Sequence, residues 1–401
     1  MSRTHVYLCP GLFGFTELAG FDYLKHMHSA IAERFRARGV QLELHAVDVH
    51  PSASVRRRAA RLVEVVDATA GEGDGPLHLL GHSLGGLDVR LAASPSAQLG
   101  DAYGASRPWL PRVRSVTTLN TPHYGSPGGA FFATSQGQRM LYAISAITVA
   151  GLTLGSPPLA MTSVLVAALG RTRERAGVEL RLVQRVIDAL ERVLDDRARD
   201  AVKEWLRKIR DDQGAIAQLM PEAMDLFQAG VEDNPSVHYQ CVASYAPARR
   251  RLRLPGDLRR PWLPVSAALF QLLHRIAAGT NPRYPFAPTD GGDSALRALL
   301  GEVPDRRAND GMVPLRSQLW GNLVWAGKGD HLDVVGHFDE PPDHRDWLCS
   351  GAGFDRGSLA TMMDRVVAGM WAAEGGPPLE GKGDGPAPGP AIAQWGVTAR
   401  H

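Results

Sequence analysis

The residues best suited to do chemistry here are a serine, an aspartate and a histidine set far apart in the chain. "HLLGHSLGGLDVR" (78–90) places Ser83 between glycines, after an apolar run and before a helix-like stretch. A serine hydroxyl attacks only when a histidine takes its proton and a carboxylate fixes the imidazole tautomer. Strand, tight turn and helix in succession are what a nucleophile elbow needs: the turn lifts the hydroxyl above the sheet, beside the positive end of the helix. There the N–H of Leu84 faces a developing oxyanion. "CPGLFGF" (9–15), after the first predicted strand, offers the backbone N–H of Leu12 as second donor.

G-x-S-x-G alone is weak in a chain with 43 glycines, so layout must supply the partners. The expected order is serine, acid, histidine. His331, in "GKGDHLDVVGHF", follows the last predicted strand, and Asp310, in "RRANDGMVP", precedes it in a turn-rich loop. His337 and His344 are rival bases; Asp290, Asp293 and Asp305 are rival acids.

Such residues need a frame to bring them together. Apolar runs predict strands over 4–10, 41–49, 76–81, 113–120, 237–246 and 322–327, with amphipathic helices over 22–39, 54–71, 84–94 and 355–373. Their alternation implies an α/β fold, a mostly parallel central sheet with helices on both faces. Residues 141–170 carry no charge, but "GSPP" at 155–158 divides them into halves of about a dozen residues, too short to span a bilayer. They read as apolar cap helices. Residues 178–212 read as one amphipathic helix or two, the apolar stripe being interrupted around Arg197 to Asp200. The predicted organisation is a core over 1–130, a helical cap or lid over 131–214, and a second part of the core over 215–373. That second part includes a basic loop insertion at about 249–284. A disordered Pro/Gly-rich tail over 374–401 follows.

Lysine and arginine number 44 against 42 acidic residues, a net charge of +2, which offers no field for nucleic acid or an anionic membrane. Cys9, Cys241 and Cys349 are too sparse for a disulfide framework; they read as free, with a Cys241–Cys349 bridge left open. The N-terminus lacks a secretory pattern, so a cytoplasmic chain is expected, with export by another route left open. His45, Asp48 and His50 fall on different faces of a strand end and read as coincidence. His123 reads as a hydrogen-bonded structural residue, Cys9 as a buried strand residue.

"GHSLGGLDVR", "TTLNTPHYGSPGG" (117–129), "MPEAMDLFQ" (220–228) before "VHYQCVASYA", "NDGMVP" and "HLDVVG" together resemble the bacterial triacylglycerol lipases of the α/β-hydrolase superfamily. The resemblance covers roughly 1–130, 215–246 and 285–345. It implies the α/β-hydrolase fold, a triad of Ser83, Asp310 and His331, and oxyanion donors at Leu12 and Leu84. The oxyanion loop departs from the family's His-Gly, reading Pro10-Gly11, so its hydrogen bonding must differ. The resemblance also implies a structural calcium held by Asp290 and Asp333. His337 occupies the family's amide-ligand position and suits a hard cation poorly; the alternative gives Asp333 and His337 structural roles.

The expected function is therefore serine ester hydrolysis through an acyl-enzyme, with no cofactor in the chemistry. The charge-free segment favours a lipase, with an apolar ester or a lipid–water interface as partner and no transmembrane span. The alternatives are an esterase, thioesterase or acyltransferase on other acyl groups, and a non-catalytic scaffold binding lipid or a partner.

Overall fold

The computed structural model describes residues 3–12, 17–18, 21–70, 73, 75–99, 107–154, 188, 195–248, 263–279, 289–344, 346 and 348–376. Six strands form one sheet: β1 (Thr4–Cys9), β2 (Leu42–Ala46), β3 (Leu77–His82), β4 (Val113–Leu119), β5 (His238–Tyr245) and β6 (Asn322–Lys328). Their order is β2-β1-β3-β4-β5-β6, and every pairing is parallel. The helices are α1 (Lys25–Ala37), α2 (Val55–Ala70), α3 (Leu84–Ala93), α4 (Pro127–Phe132), α5 (Ser135–Leu154), α6 (Asp196–Asp211), α7 (Gly214–Gln218), α8 (Pro221–Gly230), α9 (Leu263–Ala277), α10 (Thr289–Leu300) and α11 (Arg356–Ala373).

A parallel sheet buried on both faces reads as continuous apolar runs, and all six expected strands are present. Strand period divides β1 between two cores. Val6 and Leu8 pack with Met27, Ile31 and Phe35 of α1 and Met362 and Val366 of α11. Tyr7 and Cys9 pack on the other face with Leu62, Val63 and Val66 of α2. The α/β fold with helices on both faces is as expected. Cys9, Cys241 and Cys349 are free and buried.

Two helical expectations change. The helix expected within 178–212 starts afresh at Asp195, whose carboxylate accepts from the N–H of Ala198 at 2.8 Å. The interruption near Arg197 is thus the first turn of α6, which buries Val202, Trp205, Leu206 and Ile209. The basic loop expected over 249–284 contains α9. Leu269, Phe270 and Leu273 recur there at helical spacing, a signal hidden behind the arginine-rich run before it. Residues 249–262 and 280–288 lie outside the described residues, as do 178–187, 189–194 and the tail from 377.

The first half of the charge-free segment belongs to α5; residues 155–170 lie outside the described residues. Among the described residues no helix is long and apolar enough to cross a membrane.

Candidate active site

Three turns at the carboxyl ends of strands build the site. Ser83 joins β3 to α3 with φ 54° and ψ −125°, a conformation costly for any residue with a Cβ. It persists because its surroundings leave no alternative. The N–H of Ser83 is held by the Leu119 carbonyl at 2.8 Å. A Cβ on Gly81 would run into the Gly85 carbonyl, and one on Gly85 into the carbonyls of Cys9 and Pro10. The flanking glycines are therefore demanded by close approach of backbone to backbone.

His331 follows β6, and its ring Nδ1 stands 2.7 Å from Oδ2 of Asp310. Asp310 is fully buried, and its Oδ1 accepts from the N–H groups of Met312 and Val313 at 2.9 and 2.7 Å. The amide of Gln318 reaches Oδ2 at 3.3 Å, and the N–H of His331 donates to the Asp310 carbonyl at 2.9 Å. The carboxylate is fixed before it meets the ring, which defines the tautomer with the proton on Nδ1 and leaves Nε2 as acceptor.

Leu12, Ser83 and His331 line one apolar crevice, about 560 Å³ counting its open mouth, walled by Phe132 of α4, Ile216 of α7 and Ile276 of α9. Leu84, first residue of α3, is in the turn whose N–H groups have no intrahelical acceptor. Leu12, Ser83 with Leu84, Asp310 and His331 thus converge from four separate stretches.

His82 was not singled out by sequence reasoning, although it lies within the motif. Its Nε2 donates to the His331 carbonyl at 2.8 Å, and its Nδ1 accepts from the Tyr23 hydroxyl at 2.9 Å. Burial holds its pKa well below the ordinary histidine range, so the ring stays neutral and can serve as this bridge. Arg58 was also missed. It is fully buried, donates to the Pro10 carbonyl at 2.6 Å, and pairs with Asp88 at 2.8 Å. This is how the Pro10-Gly11 loop is held in place.

Of the rival bases, His337 donates through Nε2 to the Tyr23 carbonyl at 3.0 Å, and His344 contacts the Gly336 carbonyl at 2.8 Å. Of the rival acids, Asp293 pairs with Arg316 and Asp305 caps Arg307. His123 is structural as expected, bonded to Thr118 and Arg90 and stacked on Trp320. Burial raises the Cys9 thiol well above its usual pKa, which leaves it inert.

Asp333 accepts from the N–H of Asp330 at 2.8 Å, and Asp330 in turn accepts from Leu332 and Asp333. The side chain of Asp290 lies outside the described residues. Asp330 and Asp333 lie buried in the turn that carries His331; burial raises both carboxyls above the usual range, and like charge adds to it, from Asp310 on Asp330 and from Asp330 and Asp346 on Asp333.

No protein-family profile matches the chain. Over 125 residues it is 33% identical to a triacylglycerol lipase of Vibrio cholerae, a match covering 31% of this chain and 34% of that protein. The chain thus spans about a third of that relative's length. Among solved structures, lipase 1 from Pelosinus fermentans aligns over 94% of this chain and 98% of its own, with 15% identity and a TM-score of 0.49. Staphylococcus hyicus lipase aligns over 93% and 96%, with 15% identity and a TM-score of 0.48. The resemblance to bacterial lipases read from the motifs is met by the Vibrio cholerae relative.

Proposed function

We propose that this chain is a serine carboxylic ester hydrolase, a lipase acting on apolar esters. The observation carrying this reading is the buried 2.7 Å contact between His331 and Asp310 on the crevice that Ser83 lines. Ser83 Oγ attacks the ester carbonyl as Nε2 of His331 takes its proton, and a tetrahedral intermediate forms. The N–H groups of Leu12 and Leu84 stabilise its oxyanion. His331 then returns the proton to the departing alkoxide, leaving an acyl-enzyme. Water, deprotonated by the same ring, releases the acid. Asp310 orients the imidazole and stabilises its charged form without taking the proton.

Ser83 is only 8% exposed and His331 3%, so a long acyl chain needs the cover over the crevice to move. The wall from α4, α7 and α9 supports an apolar acyl group, and α5 and α6 serve as parts of a lid. A lipid–water interface is the partner such a cover requires. The test is hydrolysis of p-nitrophenyl esters from C2 to C16. Rates should rise toward the long esters and increase further when substrate aggregates. A rate that peaks at C2 would remove the lipase reading while leaving the ester hydrolase.

Asp333 offers carboxylate oxygen, the donor a hard divalent cation such as calcium prefers. Asp333 would hold it together with Asp290, on the family resemblance. The ion would neutralise the loop that carries His331. Chelator should lower the thermal midpoint and Ca²⁺ restore it, and Asp333→Asn should lose the response. An unchanged midpoint would leave Asp333 as the turn-closing residue alone.

His82 is a positioning residue through its bond to the His331 carbonyl. His82→Ala should lower kcat by about 10–10²-fold, a lost buried hydrogen bond of roughly 1–3 kcal/mol, with KM little changed. His82→Gln, which keeps a donor, should recover part of the rate. Equal loss in both variants would mean that only ring packing matters.

A further inference from the structure

At the opposite end of the sheet, β1 and the edge strand β2 bring three ligand-type side chains together. The parallel register sets His5 beside Glu43 and Tyr7 beside His45, so all four side chains share the face covered by α2. His5 Nδ1 lies 3.1 Å from His45 Nε2 and 3.4 Å from Glu43 Oε2; His45 Nε2 lies 3.8 Å from the same oxygen. Among the described residues this is the one group of three or more His, Cys, Asp or Glu whose donor atoms are close enough to share an ion.

We propose that His5, Glu43 and His45 form a binding site for Zn²⁺ or a similar borderline divalent metal, separate from the Ser83 crevice. Zinc binds imidazole nitrogen and carboxylate oxygen at about 2.0–2.2 Å in a tetrahedron, and a tetrahedron of that size has edges of about 3.3–3.5 Å. The three observed separations bracket that value, so the donor atoms already outline one face. Two imidazoles and one carboxylate select such a metal over calcium, which prefers oxygen alone. Each ring binds as the neutral tautomer with its proton on the other nitrogen, Nε2 of His5 and Nδ1 of His45. Burial lowers the pKa of both rings, which keeps them neutral.

The surroundings support the site. Tyr7 stacks on His45 with ring centres 4.6 Å apart, which holds that imidazole upright. Arg3 engages the other carboxylate oxygen, Oε1, leaving Oε2 turned toward the rings. Glu43 is about one-third exposed, which gives an ion a route in and leaves the fourth position to water. His5 starts β1 and Ser83 follows the end of β3, so the two sites lie on the order of 13 Å or more apart along the strands. A metal here clips β2 to β1, protecting a strand that lies at the edge of the sheet among the described residues.

The test is calorimetric titration of the full chain with Zn²⁺ after chelator treatment, in excess Ca²⁺ so that the carboxylate loop beside His331 does not contribute. One Zn²⁺ per chain is expected. His45→Asn and Glu43→Gln should each weaken it at least tenfold, and Ser83→Ala should leave it unchanged. Glu43→Gln alters a part-exposed side chain, so it remains readable if His45→Asn fails to fold. Co²⁺ should give the intense visible bands of tetrahedral coordination, lost in the same variants. Absence of Zn²⁺ binding, or equal binding in all four proteins, would reduce the cluster to a hydrogen-bonded histidine pair.

Discussion

Ser83→Ala should abolish ester hydrolysis, lowering kcat by about 10⁴–10⁶-fold, because alanine leaves His331 no hydroxyl to activate. Asp310→Asn should fall almost as far, about 10⁴-fold, since an amide favours the wrong imidazole tautomer. The double variant should be little worse than Ser83→Ala, because the groups act as one unit. The same substitutions should affect stability differently. Ser83→Ala keeps the strained backbone at φ 54° and should leave the thermal midpoint nearly unchanged. Ser83→Gly removes the Cβ that makes this conformation costly, about 1–3 kcal/mol, and should raise it. Steady-state kinetics with differential scanning calorimetry reads both. Retention of more than a hundredth of the wild-type rate in Ser83→Ala would place the nucleophile elsewhere.

Arg58→Ala should give a large loss of stability, about 3–5 kcal/mol, read as a fall in the denaturant midpoint. Arg58 and Asp88 are both completely buried, and Arg58 also donates to the carbonyls of His50 and Pro51. Even with its partner present, burial pushes the Asp88 pKa up to about 6. Removing the guanidinium leaves a carboxylate in the core with no cation. Replacing the pair together, Arg58→Met with Asp88→Leu, should recover most of the stability, because apolar residues of similar volume suit such a position. It should not recover the rate. The Pro10 carbonyl would still lack its donor, and the loop presenting Leu12 would be free to shift. A double variant with full kcat would separate Arg58 from the oxyanion loop.

The inner strands were legible because they are covered on both faces and therefore read as apolar runs, as in "THVYLC" and "LHLLGH", and the half-buried edge strand β2 because "LELHA" alternates. Ser83 and His331 were legible because each follows such a run, where a parallel sheet gathers its loops, and Asp310 because it lies in the turn-rich loop before β6. The bonds that hold them were not. Nothing local in "SVRRRAARL" marks one arginine of four as buried, because the signal is Asp88, thirty positions later, and the Pro10 carbonyl, far earlier in the chain. His45 looked accidental when compared with Asp48 and His50 on its own strand. Its partners are His5 and Glu43, and the juxtaposition with His5 exists only once β2 lies beside β1. The helix α9 was hidden for another reason: a basic run dominates the composition of the segment that contains it.

The connection from β5 to β6 leaves the sheet after Tyr245 and returns at Asn322, yet Asp310 within it is tied to β6 by the Asp310 carbonyl and the N–H of His331. That bond holds Asp310 and His331 together, and Asn309 beside Asp310 donates to the His274 carbonyl of α9 at 3.2 Å. The detour carrying α9 can therefore vary where it keeps that anchor. Grafting a different detour there should change which molecules are admitted and leave the turnover of small esters intact.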